Sequence, residues 1–305
     1  MIQDSDQCVD ERLRADLAQG DAMLGSLGPI LRHLLANDDN SLFSDEIVAR
    51  VRGMLSHIAG QLLHAQVEAE SVAPVEADIE LHRDAVIGEL LASTGLLSHV
   101  HALALEWQLA ERLQSRAGLD PVLSPLLQEL IASGDAETAS VAMRLLAAQA
   151  RFAQSQRRME LPLFELPGDL LHAAIGAVGG LEGAAKESLR AQFDEGQGRI
   201  GILSRLLIGM GDGAVAALSL GHAGVALFAT AVSIRSGQGR DLAILSTNER
   251  QLARLVLCLR VAGLSPAAIA EQLLSLHPGI ALPEGLDQLS AKEAAALLAA
   301  SGSAG

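Results

Sequence analysis

Aromatic residues are nearly missing from this sequence: they make up 2% of 305 residues, tyrosine is absent, and Trp107 is the only tryptophan. Sheets draw on aromatic and β-branched side chains, so this scarcity argues against a β architecture. Cysteine is scarce as well. Cys8 and Cys258 are too few for a disulfide framework or a thiolate zinc site. Bases are outnumbered, 22 against 37 acids, for a net charge of −15. Residues 1–120 hold 20 of those acids and only 8 of the bases. Such a chain repels phosphate backbones, which excludes nucleic acid as the expected partner. The opening Met1-Ile2-Gln3-Asp4-Ser5-Asp6 has no basic start followed by an apolar run, so a cytoplasmic location is expected.

What is present in quantity is leucine and alanine, within a chain that is 50% hydrophobic. These residues lead the helix propensities. The expected class is therefore all-α. Residues 1–40 carry two weak helical patterns, Arg12–Leu17 and Pro29–Leu35, before the turn Asn37-Asp38-Asp39-Asn40. Ser44 and Asp45 look like an N-cap for a long helix to Glu70, with Ile47, Val51, Met54, Ile58, Leu62 and Ala65 on one stripe. Further helices are expected from Pro74 to Ser93 and from Leu96 to Arg116. This gives an acidic N-terminal helical bundle over residues 1–118. From 119 to 300 the pattern shifts to shorter helices with tight turns: Asp120-Pro121 to Ala132, Ala136–Arg158, Leu170–Val178, Ile200–Met210, Glu249–Val261 and Ala267–Leu276. That alternation predicts stacked helical hairpins, an α-solenoid. Residues 301–305 read as a frayed tail.

Several stretches of this second part resemble a bacterial family known as domain of unknown function 2336. They are Asp135-Ala136-Glu137, the run Ala142–Arg151, Leu166-Pro167, Phe193-Asp194-Glu195-Gly196, Leu227-Phe228-Ala229 and Arg260-Val261-Ala262-Gly263-Leu264. The resemblance spans roughly residues 45–280. It implies a HEAT-like helical fold and carries over no activity, cofactor or catalytic residue.

Organised chemistry is hard to find. His57, Gln61, His64 and Glu68 share one flank of the long helix, a candidate metal or proton-switch site. Two imidazoles seven residues apart stand about 10 Å apart along the axis, however, and the zincin spacing is absent. His57 is also a conceivable phosphorelay histidine, but no H-box follows it. His99 and His101 point to different sides of their helix. Neither shares a stripe with Glu106 or Glu111, and a di-iron Glu-x-x-His pair is missing. His82-Arg83-Asp84 lacks the remainder of a kinase catalytic loop. Gly209-x-Gly211-x-x-Ala214 fits a dinucleotide fingerprint only in letters, since no strand precedes it. Cys258 falls in an apolar helix stripe, where a thiol is inert. No catalytic residue and no cofactor is expected.

Two features of the surface remain. Arg144, Arg151 and Arg158 recur every seven residues with Arg157 beside the last, so they form a ridge on one helix face. Arginine suits planar anions, which points to an acidic protein partner. The uncharged run from Gly213 to Ile234 is long enough to cross a bilayer, but Gly221-His222-Ala223-Gly224 reads as a turn within it. A membrane span is therefore not expected. The long helices Ser44–Glu70 and Leu96–Arg116 suggest a homodimer. The expected function is a non-catalytic protein-interaction or regulatory scaffold. The alternatives are a small-molecule or lipid-binding helical sensor, with a pocket at Leu206–Ile234, or a phosphorelay signalling protein.

Overall fold

The computed structural model describes residues 2–36, 45–69, 76–177, 183–280 and 289–301. The turn at 37–40, the cap expected at Ser44, the helix start expected at Pro74, the helix end at Val178 and residues 302–305 of the expected tail lie outside them, while Ser301 closes the last helix. The described residues form helices and no strand: α1 (Ile2–Ala36), α2 (Asp45–Ala69), α3 (Glu76–Ala92), α4 (Thr94–Ala117), α5 (Pro125–Ile131), α6 (Ala136–Arg157) and α7 (Gly168–Ala177). There follow α8 (Ala184–Gln192), α9 (Arg199–Gly209), α10 (Leu220–Ser236), α11 (Arg240–Leu245), α12 (Leu252–Val261), α13 (Pro266–Leu276) and α14 (Ala291–Ser301). The all-α class is the observed one.

Most boundaries fall where the sequence places them, and the departures have local causes. The two weak patterns in residues 1–40 merge into the single helix α1, which continues through Pro29. Proline removes one intrahelical hydrogen bond and crowds the carbonyl four residues back; that residue is Gly25, whose Cβ position is open. The helix expected from Asp120 starts at Pro125. The Asp120 carboxylate accepts the N–H groups of Val122 and Leu123 in a turn (2.7 and 2.9 Å). Ser124 then caps α5 by accepting from the Leu127 N–H, with Pro125 in the first turn, the position where its missing N–H matters least.

The chain forms two compact units, each drawn from discontinuous segments. The first comprises Met1–Leu27, Leu109–Ala142 and Leu203–Gly305; the second comprises Gly28–Gln108 and Met143–Ile202. This interleaving differs in kind from a single cut after residue 118. The first unit is organised on α10, whose residues from Ala223 to Val232 are all buried. It packs against α5, α11, α12 and α13. In the second unit, α2 packs on α3 and α8, and α3 on α7. Solenoid repeats touch only their neighbours, whereas α5–α10 and α2–α8 pair helices far apart in the chain. The structure establishes the all-α class and does not establish a HEAT-like stack.

The stripe of α2 is buried within its own unit: Ile47, Val51, Met54, Ile58 and Leu62 are at most 3% exposed. The α4 residues from His99 to Ala104 are likewise fully buried. Among the described residues no single helix is long and apolar enough to cross a membrane, although two bent helix pairs match by length and composition. The uncharged run Gly213–Ile234 is divided between a 3-10 helix, Gly211–Leu218, and α10. Gly224 interrupts α10 with φ 73° and ψ 165°, a combination that only glycine adopts readily. This is the turn expected in that run, and His222 just before it reaches the Glu129 carboxylate at 3.1 Å.

Arginine holds helix ends in both units. Its planar fork donates to carbonyls that the last helical turn leaves without a partner. Arg32 Nε donates to the Leu91 carbonyl (2.8 Å) and Arg235 Nε to the Ala262 carbonyl (2.9 Å). Arg116 donates to the Ser275 carbonyl, and Arg260 to those of Leu289 and Leu264.

Two stability measurements follow. An alanine at Gly224 would take the same backbone angles and bring its Cβ to 3.0 Å from Ser124 Cβ. Gly224→Ala should lose about 1–3 kcal/mol in urea unfolding, while Gly221→Ala, with open space around it, should stay near wild type. Burial pushes the His101 imidazole down to about 4, below its ordinary 6.5. The native state therefore favours the neutral ring, so its contribution is whole above pH 6.5 and declines as pH falls towards 4. The decline is on the order of 3 kcal/mol. Urea midpoints across that window should lose this slope in His101→Gln.

Candidate functional site

After α6 ends at Arg157, the chain reverses and lays a strap, residues 159–166, along α2. The reversal is made by Met159 at φ 57°, the one non-glycine among the described residues with a positive φ. Close approach to α2 requires Gly53 there. A Cβ at that position would come within 2.6 Å of Met159 Cβ and 2.8 Å of its carbonyl. The strap is then bonded down through its backbone. The Leu161 N–H donates to His57 Nδ1 (3.2 Å), the Gln61 amide to the Leu161 carbonyl (3.0 Å), and the Leu163 N–H to Gln61 Oε1 (3.0 Å). Arg50 donates to the Gln156 carbonyl at the end of α6 and to Glu46 Oε1 (2.8 Å).

Beneath the strap lies a buried ion pair. Arg199, in the first turn of α9, donates from Nη1 to Glu106 Oε1 (2.7 Å) and from Nη2 to Glu106 Oε2 (3.0 Å). Nη1 also donates to Gln149 Oε1 (3.0 Å). Glu106 and Arg199 are 1% and 2% exposed. The guanidinium carbon stands 3.6 Å from the Phe152 ring centroid, and Phe152 meets Trp107 edge-on at 6.3 Å. Arg199 donates its backbone N–H to Glu165 Oε2 (2.9 Å). One residue thus ties α4, α6, α9 and the strap.

Two grooves flank the strap. One, of about 520 Å³, runs between α2 and α8, with Leu163, Ala185 and Leu189 as its floor and His64, Glu68 and Gln192 on its rim. The other, of about 310 Å³, lies beside α6, bordered by Arg151 and Arg158 and floored by Phe152, Leu161 and Pro162. Glu160 and Glu165 form its strap wall. Phe164 lines both grooves and is 39% exposed.

The expected site residues have distinct fates. His57 and Gln61 are structural, engaged with the strap. His64 and Glu68 are exposed on the wider groove, and among the described residues no three His, Cys, Asp or Glu side chains are grouped to hold a metal ion. Arg144, Arg151, Arg157 and Arg158 are all exposed on or just beyond α6. Arg157 turns aside over the Trp107 ring, 5.8 Å from its centroid, while Arg151 and Arg158 border the narrower groove. The Cys258 thiol is buried and pushed up to about 11, chiefly by that burial, as an inert core thiol should be. Gly209 and Gly211 are turn glycines between α9 and the 3-10 helix. The Leu206–Ile234 region supplies much of the first unit's core, including Leu206, Leu207, Ala217 and Leu218.

Sequence reading missed the Glu106–Gln149–Arg199 cluster. One signal was available: a cation in the first turn of a helix opposes the macrodipole, so Arg199 needed a partner from elsewhere.

Fold and site together define an all-α protein with two grooves beside one strap, the narrower of them bordered by arginines. The chain matches no family model, no curated protein and no solved structure.

Removing one partner of a buried pair leaves an uncompensated charge, which costs about 3–5 kcal/mol. Glu106→Gln should destabilise by that order in chemical denaturation. The double variant Glu106→Leu/Arg199→Met should recover most of the loss, because no charge is left buried. A double variant no better than the single one would show that the pair is not the source of the cost.

Proposed function

We propose that this protein is a non-catalytic interaction or regulatory scaffold, and that its second unit docks an acidic segment of a partner protein in the groove beside α6. One observation carries this reading. Arg144, Arg151 and Arg158 lie exposed at seven-residue spacing, which is about 10 Å along a helix, and no hydrogen bond or ion pair engages their side chains within the described residues. Several other arginines of the fold are committed to carbonyls or carboxylates, among them Arg32, Arg199 and Arg235. Arginines left without partners beside an apolar floor match the chemistry of a carboxylate-bearing peptide, which would meet the guanidiniums in charge-assisted pairs while covering Leu161 and Pro162. The small size of the groove suits a segment rather than a whole ligand.

Two charge-assisted contacts contribute about 1.5–3 kcal/mol each. Arg151→Glu/Arg158→Glu should therefore weaken the partner about a hundredfold or more at low salt. Quantitative affinity capture should show a partner that is lost from this variant and eluted from the wild type by raised salt, with Arg151→Lys/Arg158→Lys intermediate. If every captured protein survives the charge reversal, the ridge is only a solvated edge.

A further inference from the structure

Resting on that docking reading, we propose that the bound segment is extended and bipolar: acidic where it meets α6, apolar where it crosses Phe164, and basic where it reaches Glu68. The two grooves are two ends of one surface, because Phe164 lines both and leaves over a third of its side chain open between them. Their rims differ in charge along the helices, although Glu160 and Glu165 on the strap face the arginines across the narrower groove. Arg151 and Arg158 border one end. At the other, Glu68 is the only charged carboxylate or base on the lining among the described residues, beside His64, Gln61, Ser188 and Gln192.

The helix termini reinforce this asymmetry. Glu68 stands in the last turn of α2, which contains no basic residue, so its carboxylate adds to the negative end of the helix dipole. A lysine or arginine of the segment finds there the charge that α2 itself does not neutralise. Within the narrow groove, the carboxylates of Glu160 and Glu165 lie on the strap wall. Glu165 is turned to the Arg199 N–H, and Glu160 repels a second acid. The acids of the segment therefore face α6 and not the strap, which sets its orientation across the groove as well as along it. An extended chain advances about 3.3 Å per residue, and seven helical residues rise about 10 Å, so the spacing of Arg151 and Arg158 suits acids two to four residues apart.

Fluorescein-labelled synthetic peptides test this on the full chain by anisotropy at low salt. One carries two glutamates, a central leucine and two lysines; a second has the same blocks in reversed order; a third replaces the lysines with serine; a fourth scrambles the charges. One of the two ordered peptides should bind about fivefold more tightly than both the serine and the scrambled peptides. That advantage should vanish in Glu68→Gln and persist in Glu129→Gln, a control in the other unit. Phe164→Ala should weaken the ordered peptide, and Arg151→Glu/Arg158→Glu should abolish its binding. A serine peptide that binds as well as the ordered one, and still depends on Arg151 and Arg158, overturns the bipolar segment and leaves the acidic docking site standing. An ordered peptide that keeps its advantage in Glu68→Gln also overturns the proposal. If no peptide is sensitive to the arginine reversal, both readings fail.

Discussion

The second unit depends on a buried charge pair that is costly to bury and more costly to break. Moving Glu106 and Arg199 out of water carries a desolvation penalty of several kcal/mol per ion. The geometry offsets it by engaging both carboxylate oxygens, adding Gln149 as a further acceptor, and laying the cation on the Phe152 ring. A pair of this kind contributes specificity of position. Slippage of α4, α6 or α9 by one residue would strand one of the charges in an apolar interior. The registers of three helices are therefore coupled, and the Arg199 N–H extends the coupling to Glu165 on the strap.

From this follows the placement of the surface. α6 bears the arginine ridge on its outer face and contributes Gln149 and Phe152 to the buried cluster from its inner one. The strap that separates the two grooves is fixed from below by Glu165 and from the side by His57 and Gln61. Gly53 allows the approach, and Met159 accepts an uncommon backbone conformation to make the reversal. A positive φ on a bulky residue costs on the order of 1 kcal/mol or more; at Met159 it is held by the bonds that follow it. The grooves are thus built from rigid, internally bonded parts, which suits a surface that recognises a segment in one orientation.

How legible this was in the sequence varies with the range of the forces involved. The apolar stripe of α2 was legible, because a period of 3.6 is local information, and Ile47, Val51, Met54, Ile58 and Leu62 are buried. The all-α class followed from composition for the same reason. The strap was not legible: its hydrogen bonds join residues about a hundred positions apart, and no local pattern marks them. His57 and Gln61 therefore looked like a loose polar flank when they are backbone partners. The interleaving of the two units was hidden for a similar reason. Helix pairing such as α5 with α10 is set by complementary surfaces, whereas chain order had suggested a stack of neighbours.

The most telling contrast lies in how one residue type is used. The chain contains two lysines, Lys186 and Lys292, and the rest of its 22 bases are arginine. A guanidinium presents several donors in a fixed plane and keeps its charge when buried, so it can cap a helix end or pair inside a core where an ammonium would be poorly matched. Arg32, Arg50, Arg116, Arg235 and Arg260 do the first, and Arg199 and Arg254 the second, Arg254 with Asp21. Against that structural use stand the exposed arginines of α6 and its end. Arg157 has an aromatic face to rest on. Arg144, Arg151 and Arg158 do not, and two of them border a groove with an apolar floor. A solvated edge needs only charge, which lysine supplies equally well; a planar donor fork beside an apolar floor is what the proposed docking of a carboxylate-bearing segment would use.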